Sequence, residues 1–234
     1  MQKAKCTAIV LAAGQGKRMG TSVQKQYLEI QDKPVLFYSL NAFQESEIID
    51  DIILVVGEGQ KEYCQKEFVE KFGFSKVSKI VYGGSERYFS VWNGLCEIND
   101  SEYVYIHDGA RPFVTEEIIK RAFEGVQLEK ACVVGMPVKD TIKIADNQGY
   151  AEYTPNRSLV WMIQTPQVFE LSLIKTAYAK LMELKDIPVT DDAMVVEQML
   201  GIKVKLIEGS YENIKITTPE DLFVADSFLK KMKK

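Results

Sequence analysis

Short apolar runs alternate with amphipathic segments along most of this chain. The runs lack polar alternation, which is typical of strands buried on both faces of a parallel sheet. Because helical periodicity fills the intervals between them, the order of elements predicts an α/β fold with a doubly wound, mostly parallel sheet. The predicted strands are residues 7–12, 51–56, 79–82, 103–106, 131–134, 202–207 and 213–217. The predicted helices are residues 34–43, 61–72, 86–98, 116–127, 171–184, 191–200 and a last one from 219 onward.

One stretch has a different pattern from the core strands. Residues 141–145 and 150–154 alternate apolar and polar positions around the turn 146–149, which predicts a β-hairpin. A hairpin with a half-apolar face needs a surface to cover that face. We therefore predict one domain over residues 1–234 with a projecting arm, residues 137–163, that makes a homodimer contact. The alternative is a hairpin folded on its own domain.

Composition narrows the class of protein. The chain has 234 residues, 26% of them charged, and a net charge of −4, which disfavours a nucleic-acid-binding surface. The apolar stretch near the start is too short for a membrane span or a signal sequence, so we expect a cytoplasmic protein with no membrane contact. Four widely spaced cysteines and one histidine argue against a zinc site or a serine–histidine–aspartate triad.

A loop of small residues and cations follows the first predicted strand. Ala12, Ala13, Gly14 and Gly16 offer backbone N–H groups that can approach a phosphate closely. Arg18 and Lys25 add positive charge beside it, which suits a nucleotide triphosphate and the charge that builds during phosphoryl transfer. The spacing Gly14-x-Gly16-x-x-x-Gly20 is not the dinucleotide fingerprint, and Arg18 stands where a P-loop has serine or threonine.

Further candidate site residues follow later strands, where open α/β sheets bind ligands. Gly84, Ser85 and Ser90 suit hydrogen bonds to a base or ribose, although a plain turn and helix cap explains them equally well. Asp108 ends another strand, with Gly109 leaving room beside it, and a carboxylate next to phosphates is a suitable magnesium ligand. His107 and Arg111 are expected to serve structure.

Three positions in the last third of the chain could serve either structure or substrate binding. Arg157 and Lys215 lie in polar context outside the predicted helices, and each on its own is typical of a solvated surface group. Thr190 precedes two aspartates, which fits either a helix cap or a set of polar groups for a polyol.

Taken together and in this order, the motifs resemble the cytidylyltransferases that act on 2-C-methyl-D-erythritol 4-phosphate. The resemblance covers nearly the whole chain. It rests on Ala12-Ala-Gly-x-Gly16-x-Arg18-Met, Lys25-Gln-Tyr-Leu28, Gly83-Gly84-x-x-Arg87-x-x-Ser90, His107-Asp108-x-Ala110-Arg111-Pro112, Pro137-Val-Lys-Asp-Thr141, Arg157-Ser-x-x-Trp161, Gln164-Thr-Pro-Gln167, Thr190-Asp191-Asp192 and Glu208-Gly-x-x-x-Asn213-Ile-Lys215.

The resemblance implies a Rossmann-like fold of the nucleotide-diphospho-sugar transferase type, and a homodimer whose arm helps to build the partner's active site. It implies a Mg²⁺-dependent reaction in which CTP and methylerythritol phosphate give CDP-methylerythritol and pyrophosphate, a step toward isoprenoid precursors. Alternatives are a ribitol-5-phosphate cytidylyltransferase and a non-catalytic nucleotide-binding regulator. By position, the resemblance implies these roles: Arg18 and Lys25 in catalysis; Arg157, Lys215, Thr141 and Thr190 in positioning the polyol phosphate; and Ala12, Ala13, Gly14, Gly16, Gly84, Ser85, Ser90, Asp108 and Gly109 in binding the nucleotide.

Overall fold

A computed structural model of the chain describes residues 3–14, 16, 23–184 and 188–232. The strands are β1 (Cys6–Ala12), β2 (Glu29–Ile30), β3 (Lys33–Pro34), β4 (Asp51–Val56), β5 (Val77–Tyr82), β6 (Tyr103–Asp108), β7 (Ala131–Pro137), β8 (Ile144–Ala145), β9 (Ala151–Tyr153), β10 (Trp161–Glu170) and β11 (Lys205–Glu208). The helices are α1 (Val35–Glu45), α2 (Lys61–Cys64, continued by a π-helical stretch, Gln65–Glu70), α3 (Arg87–Cys96), α4 (Glu116–Glu129), α5 (Leu171–Met182), α6 (Asp192–Leu200) and α7 (Pro219–Met232).

Within these described residues, seven strands form one sheet in the order β11-β7-β10-β6-β1-β4-β5. Strand β10 is antiparallel to both of its neighbours, and the other neighbouring pairs are parallel. Successive residues of β1 face opposite layers, with Val10 packed beside α1 and α4 and Ile9 beside α3 and α5. This confirms the predicted α/β fold with a mostly parallel sheet and helices on both faces.

One predicted strand was wrong, and one strand of the sheet was missed. Residues 213–217 are not a strand, because side-chain hydrogen bonds replace the sheet ladder: the buried Asn213 amide donates to Gln164 Oε1 and to the Thr165 carbonyl. Strand β10 was not predicted at all. Its sequence contains Pro166, which normally argues against a central strand, and its register with β7 shifts between Ile163 and Gln167.

The predicted hairpin is present in the arm. Strands β8 and β9 pair antiparallel around a turn in which Asp146 Oδ1 accepts from the N–H groups of Gln148 and Tyr150. No residue between 139 and 163 is buried. Several large apolar side chains of the arm are exposed: Ile144, Tyr150, Tyr153, Leu159, Met162 and Ile163.

Among the described residues, no helix is long and apolar enough to cross a membrane.

Candidate active site

A cavity of about 520 Å³ opens at the carboxyl ends of β1 and β6 and beside the loop after β5. This is the edge where open α/β sheets bind ligands. Ten residues predicted from the sequence line it, so the fold brings together four segments that are far apart in the chain. Those ten are Ala12, Ala13, Gly14, Gly16, Lys25, Gly84, Ser85, Ser90, Asp108 and Lys215.

The loop after β1 is fixed by a residue that the sequence did not single out. Gln26 is buried, and its side-chain amide donates to the carbonyls of Ala12, at 2.6 Å, and Gly14, at 3.2 Å. These bonds hold the small-residue loop against the turn that carries Lys25. Gly16 has a φ of +65°, a conformation that favours glycine. Arg18, predicted as catalytic, lies outside the described residues.

The loop after β5 approaches the first loop closely. A Cβ on Gly83 would overlap the Ala13 side chain, so only glycine fits there without a shift. The buried Ser90 hydroxyl accepts from the Gly84 N–H at 3.1 Å and donates to the Glu86 carbonyl at 3.2 Å. Ser90 therefore shapes this wall of the cavity with its own hydrogen bonds, and it also lines the cavity.

A group of charges, in which two buried aspartates pair with partly exposed cations, forms the floor between the two loops. The Asp108 carboxylate has Lys215 Nζ at 2.7 Å from Oδ2, Arg87 Nε at 3.4 Å from Oδ1 and Arg111 Nε at 3.9 Å from Oδ2. Arg87 also reaches the buried Asp192, with Nη2 at 2.8 Å from Oδ2. Burial by itself raises the pKa of the Asp108 carboxyl, but the charges of Arg87, Lys215 and Arg111 outweigh it and hold that pKa well below its ordinary value. We call Arg87, Asp108, Arg111, Asp192 and Lys215 the ion cluster.

A chain of hydrogen bonds behind the ion cluster fixes its backbone. The Asp108 N–H donates to Thr165 Oγ1 at 3.0 Å, and that hydroxyl lies 3.1 Å from His107 Nδ1. His107 Nε2 lies 3.1 Å from the Arg111 carbonyl, which only accepts, so these partners assign the proton to Nε2. Burial lowers the pKa of His107 to about 4. The imidazole is therefore neutral at pH 7 and serves structure, as predicted.

A second cavity of about 300 Å³ adjoins the first and shares Arg87, Asp108 and Lys215 with it. Thr190 lines this second cavity, beside Asp191. Asp191 caps α6 by accepting from the Met194 N–H at 2.9 Å, and it also accepts from Gln167 Nε2 at 3.0 Å. The segment caps a helix and also lines a polar cavity, and the set of polar groups for a polyol stays a prediction.

Three predicted site residues line neither cavity. Thr141 and Arg157 lie on the exposed arm, where Arg157 Nη1 donates to the Lys139 carbonyl at 2.9 Å. Gly109 is buried behind the first cavity, and a Cβ there would lie 2.9 Å from both the Leu11 carbonyl oxygen and Leu36 Cδ1. Its neighbour Ala110 lines the cavity in its place.

The carboxylates that line the larger cavity determine how this site could hold a magnesium ion. Mg²⁺ in nucleotide sites is usually held by one or two carboxylates together with substrate phosphates. Asp108 and Glu86 both line the larger cavity, but Asp108 is ion-paired on both oxygens. Among the described residues, no group of three or more His, Cys, Asp or Glu side chains is arranged to hold a metal. The residues fit an ion carried by a triphosphate better than one held by the protein alone.

A glycine-walled cavity with a cation-rich floor at the strand ends is the kind of site that nucleotide-binding transferases use. The sequence model of the 2-C-methyl-D-erythritol 4-phosphate cytidylyltransferase (IspD) family matches residues 6–231. The chain belongs to this family.

Individual relatives agree with the family assignment. The chain is 51% identical over 226 residues to the 2-C-methyl-D-erythritol 4-phosphate cytidylyltransferase of Lachnoclostridium phytofermentans, covering 97% of each chain. It is 53% identical over 226 residues to the protein of that name from Caldanaerobacter subterraneus, covering 96% of this chain and 99% of the other. The crystal structure of 4-diphosphocytidyl-2C-methyl-D-erythritol synthase from Anaerococcus prevotii superimposes with a TM-score of 0.86 at 36% identity, with 97% of each chain covered.

Proposed function

We propose that this protein transfers a cytidylyl group from CTP to 2-C-methyl-D-erythritol 4-phosphate, giving CDP-methylerythritol and pyrophosphate. Family membership and the relatives' names support the substrates. The observation that carries the proposal on this chain is the ion cluster, which places Lys215 and Arg87 where the nucleotide cavity meets the second cavity.

The reaction needs positioning and charge stabilisation more than it needs a protein base. An oxygen of the substrate phosphate, already an anion at neutral pH, forms a bond to the α-phosphorus of CTP, and the bond to the β-phosphate oxygen breaks as pyrophosphate leaves. Fixed cations stabilise the negative charge that builds at the α-phosphate. In our proposal Lys25 acts beside the triphosphate, and Lys215, oriented by Asp108, holds the attacking phosphate. Arg18 is assigned to catalysis with Lys25 by its position in the sequence.

We propose that magnesium enters with the triphosphate, near Asp108 and Glu86. When bound, the ion neutralises part of the phosphate charge. The proposed location is the cytoplasm. Free thiols are typical of a reducing compartment, and all four cysteines of the chain are free: Cys6, Cys64, Cys96 and Cys132.

We also propose that residues 137–163 form the dimer contact within a single-domain chain. In this arrangement Thr141 and Arg157, which line neither of the chain's own two cavities, reach the polyol phosphate in the partner's site. The exposed apolar side chains of the arm support the proposal, because an apolar strip of this kind is usually covered by a partner.

Pyrophosphate release tests the proposed activity and separates it from its two alternatives. Purified protein is mixed with CTP and Mg²⁺, and methylerythritol phosphate is compared with ribitol 5-phosphate. We expect release with the first. Release with ribitol phosphate alone supports the ribitol-5-phosphate cytidylyltransferase, and tight CTP binding with no release from either supports a nucleotide-binding regulator. ATP in place of CTP is the control for the base.

A further inference from the structure

Arg87, which lines both cavities, forms an ion pair with Asp192 that has no role in the mechanism above. Asp192 is fully buried, and its two oxygens accept from both terminal nitrogens of Arg87, at 2.9 and 2.8 Å. The Tyr178 hydroxyl donates to the same carboxylate at 2.6 Å. One side chain at the start of α6 is therefore bonded to α3 and to α5.

Arg87 is the member of this pair that lines both cavities. It is the first residue of α3, directly after the wall formed by Gly84 and Ser85, and Asp192 directly follows Thr190 and Asp191 of the second cavity. A guanidinium fork fixes the direction as well as the distance of a carboxylate. The Arg87–Asp192 fork therefore sets how the second cavity is oriented relative to the nucleotide cavity.

The surroundings of the pair keep it in one arrangement. Gln167 Oε1 accepts from the Ala193 N–H at 2.9 Å, which ties the start of α6 to β10. On the other side, the Trp92 ring of α3 lies parallel to the Tyr178 ring, with an interplanar angle of 3°. Because these contacts come from α3, α5 and β10, the fork joins segments that are already packed.

The pair also acts on Lys215 through Asp108. Arg87 donates from Nη1 and Nη2 to Asp192, and its third guanidinium nitrogen, Nε, donates to Asp108 Oδ1. If Asp192 loses its charge, the Arg87 guanidinium is left to pair more closely with Asp108. The guanidinium then competes with Lys215 for the Asp108 carboxylate. Asp192 therefore limits how closely Arg87 pairs with Asp108, the carboxylate that orients Lys215.

We propose that Asp192, through Arg87, is a positioning residue that aligns the polyol-phosphate subsite with the nucleotide subsite. This inference rests on the proposed cytidylyl transfer. A salt bridge that only stabilises the fold would have different kinetic effects from one that aligns the two subsites. A stabilising bridge changes the folded fraction and so the apparent kcat, whereas an aligning one changes the KM of the substrate whose subsite moves.

Steady-state kinetics of D192N and R87K, with CTP affinity from calorimetry, test the inference. We expect each variant to raise the KM for methylerythritol phosphate about tenfold, while the Kd for CTP changes less than about threefold. Y178F, which removes one hydrogen bond from Asp192, should raise that KM by a smaller factor. E97Q breaks the exposed Lys79–Glu97 pair at the opposite end of α3, and it is the matched control with wild-type KM values.

Two outcomes overturn the inference while the wild type still releases pyrophosphate. One is a wild-type KM in D192N with only a lower melting temperature, which assigns the pair to stability. The other is a wild-type KM in R87K, which shows that charge alone suffices and that the fork does not align the subsites. A wild type with no turnover overturns the proposed function and this inference together, so the two failures are distinguishable.

Discussion

The ion cluster and the arm both carry residues predicted to hold the polyol phosphate, yet their surroundings differ. Lys215 is held by an ion pair to buried Asp108, at the end of a central strand. Arg157 lies in an exposed segment, where its guanidinium donates to the carbonyl of Lys139, another residue of the arm. The contacts of a single chain therefore hold Lys215 in place at the sheet edge. In our proposal, Arg157 and the rest of the arm gain their final position only against a second chain.

The largest difference expected between the two regions is in stability. D192A removes the fully buried carboxylate that pairs with Arg87 and accepts from Tyr178, and it should lower the free energy of unfolding by about 3–5 kcal/mol. E152A, on the exposed strand β9, should change it by less than about 0.5 kcal/mol. Urea unfolding of both variants measures the contrast. Similar small changes in the two would show that the ion cluster is not a structural unit.

The next largest effect is on turnover. K215A removes a cation proposed to hold the attacking phosphate and should lower kcat/KM about 10²–10³-fold, by analogy with a lost oxyanion-hole donor. K25A and R18A should lower turnover far more than they lower CTP binding. K79A, at an ion-paired lysine outside both cavities, is the control and should retain wild-type kinetics. Retained turnover in both K25A and R18A would show that their proposed roles are wrong.

Acid stability tests the part of the molecule behind the ion cluster. The unfolded chain protonates His107 near pH 6.5, whereas burial lowers its pKa in the folded chain to about 4. The unfolded state therefore binds more protons in this window, and the free energy of unfolding should fall by about 3 kcal/mol as the pH drops from 6.5 to 4. H107Q, with no titrating ring, should lose this contribution in chemical denaturation at stepped pH. An unchanged pH slope in H107Q would contradict the assignment of a neutral buried imidazole.

The smallest effect concerns dimerisation through the arm. L159D places a charge on an exposed arm leucine, 77% accessible, and should weaken the dimer about tenfold or more without unfolding the chain. Leu128 on α4 is 83% accessible and lies outside the arm, so L128D is the matched control. Sedimentation over a concentration series reports both. Equal dissociation constants for the two variants would remove the arm from the interface.

The strands that the sequence predicts well differ from those it misses in what holds them in place. Continuous apolar runs such as Asp51–Val56 predict strands well, because burial on both faces leaves little choice of residue. Strand β10 and the segment around Lys215 were missed or misassigned because side-chain hydrogen bonds and pairing with distant strands decide their structure. Periodicity within a window carries no signal for such contacts.

In the candidate site, too, some residues are marked by local sequence patterns and others depend on partners far away in the chain. The glycine loops and Asp108 could be predicted because strand ends and small residues mark them. Arg87 stands inside a quoted motif, but its partner Asp192 is 105 residues away, so no local pattern indicates the pair. The roles of Ser90 and Gln26 likewise depend on which carbonyls the fold brings within reach. The sequence predicts which residues contribute to the site, but their hydrogen-bond and ion-pair partners are seen only in the folded chain.

Subunit complementation tests most directly whether the ion cluster of one chain and the arm of another form a single site. K215A is defective at the sheet edge and R157A on the arm, and each alone should have low activity. Equal amounts co-refolded should give about half heterodimers, each with one intact site of two, so activity should return to about a quarter of the wild-type value. Activity that stays at the average of the two parents would contradict the account, because it would place both residues in the same chain's site or remove the arm from catalysis.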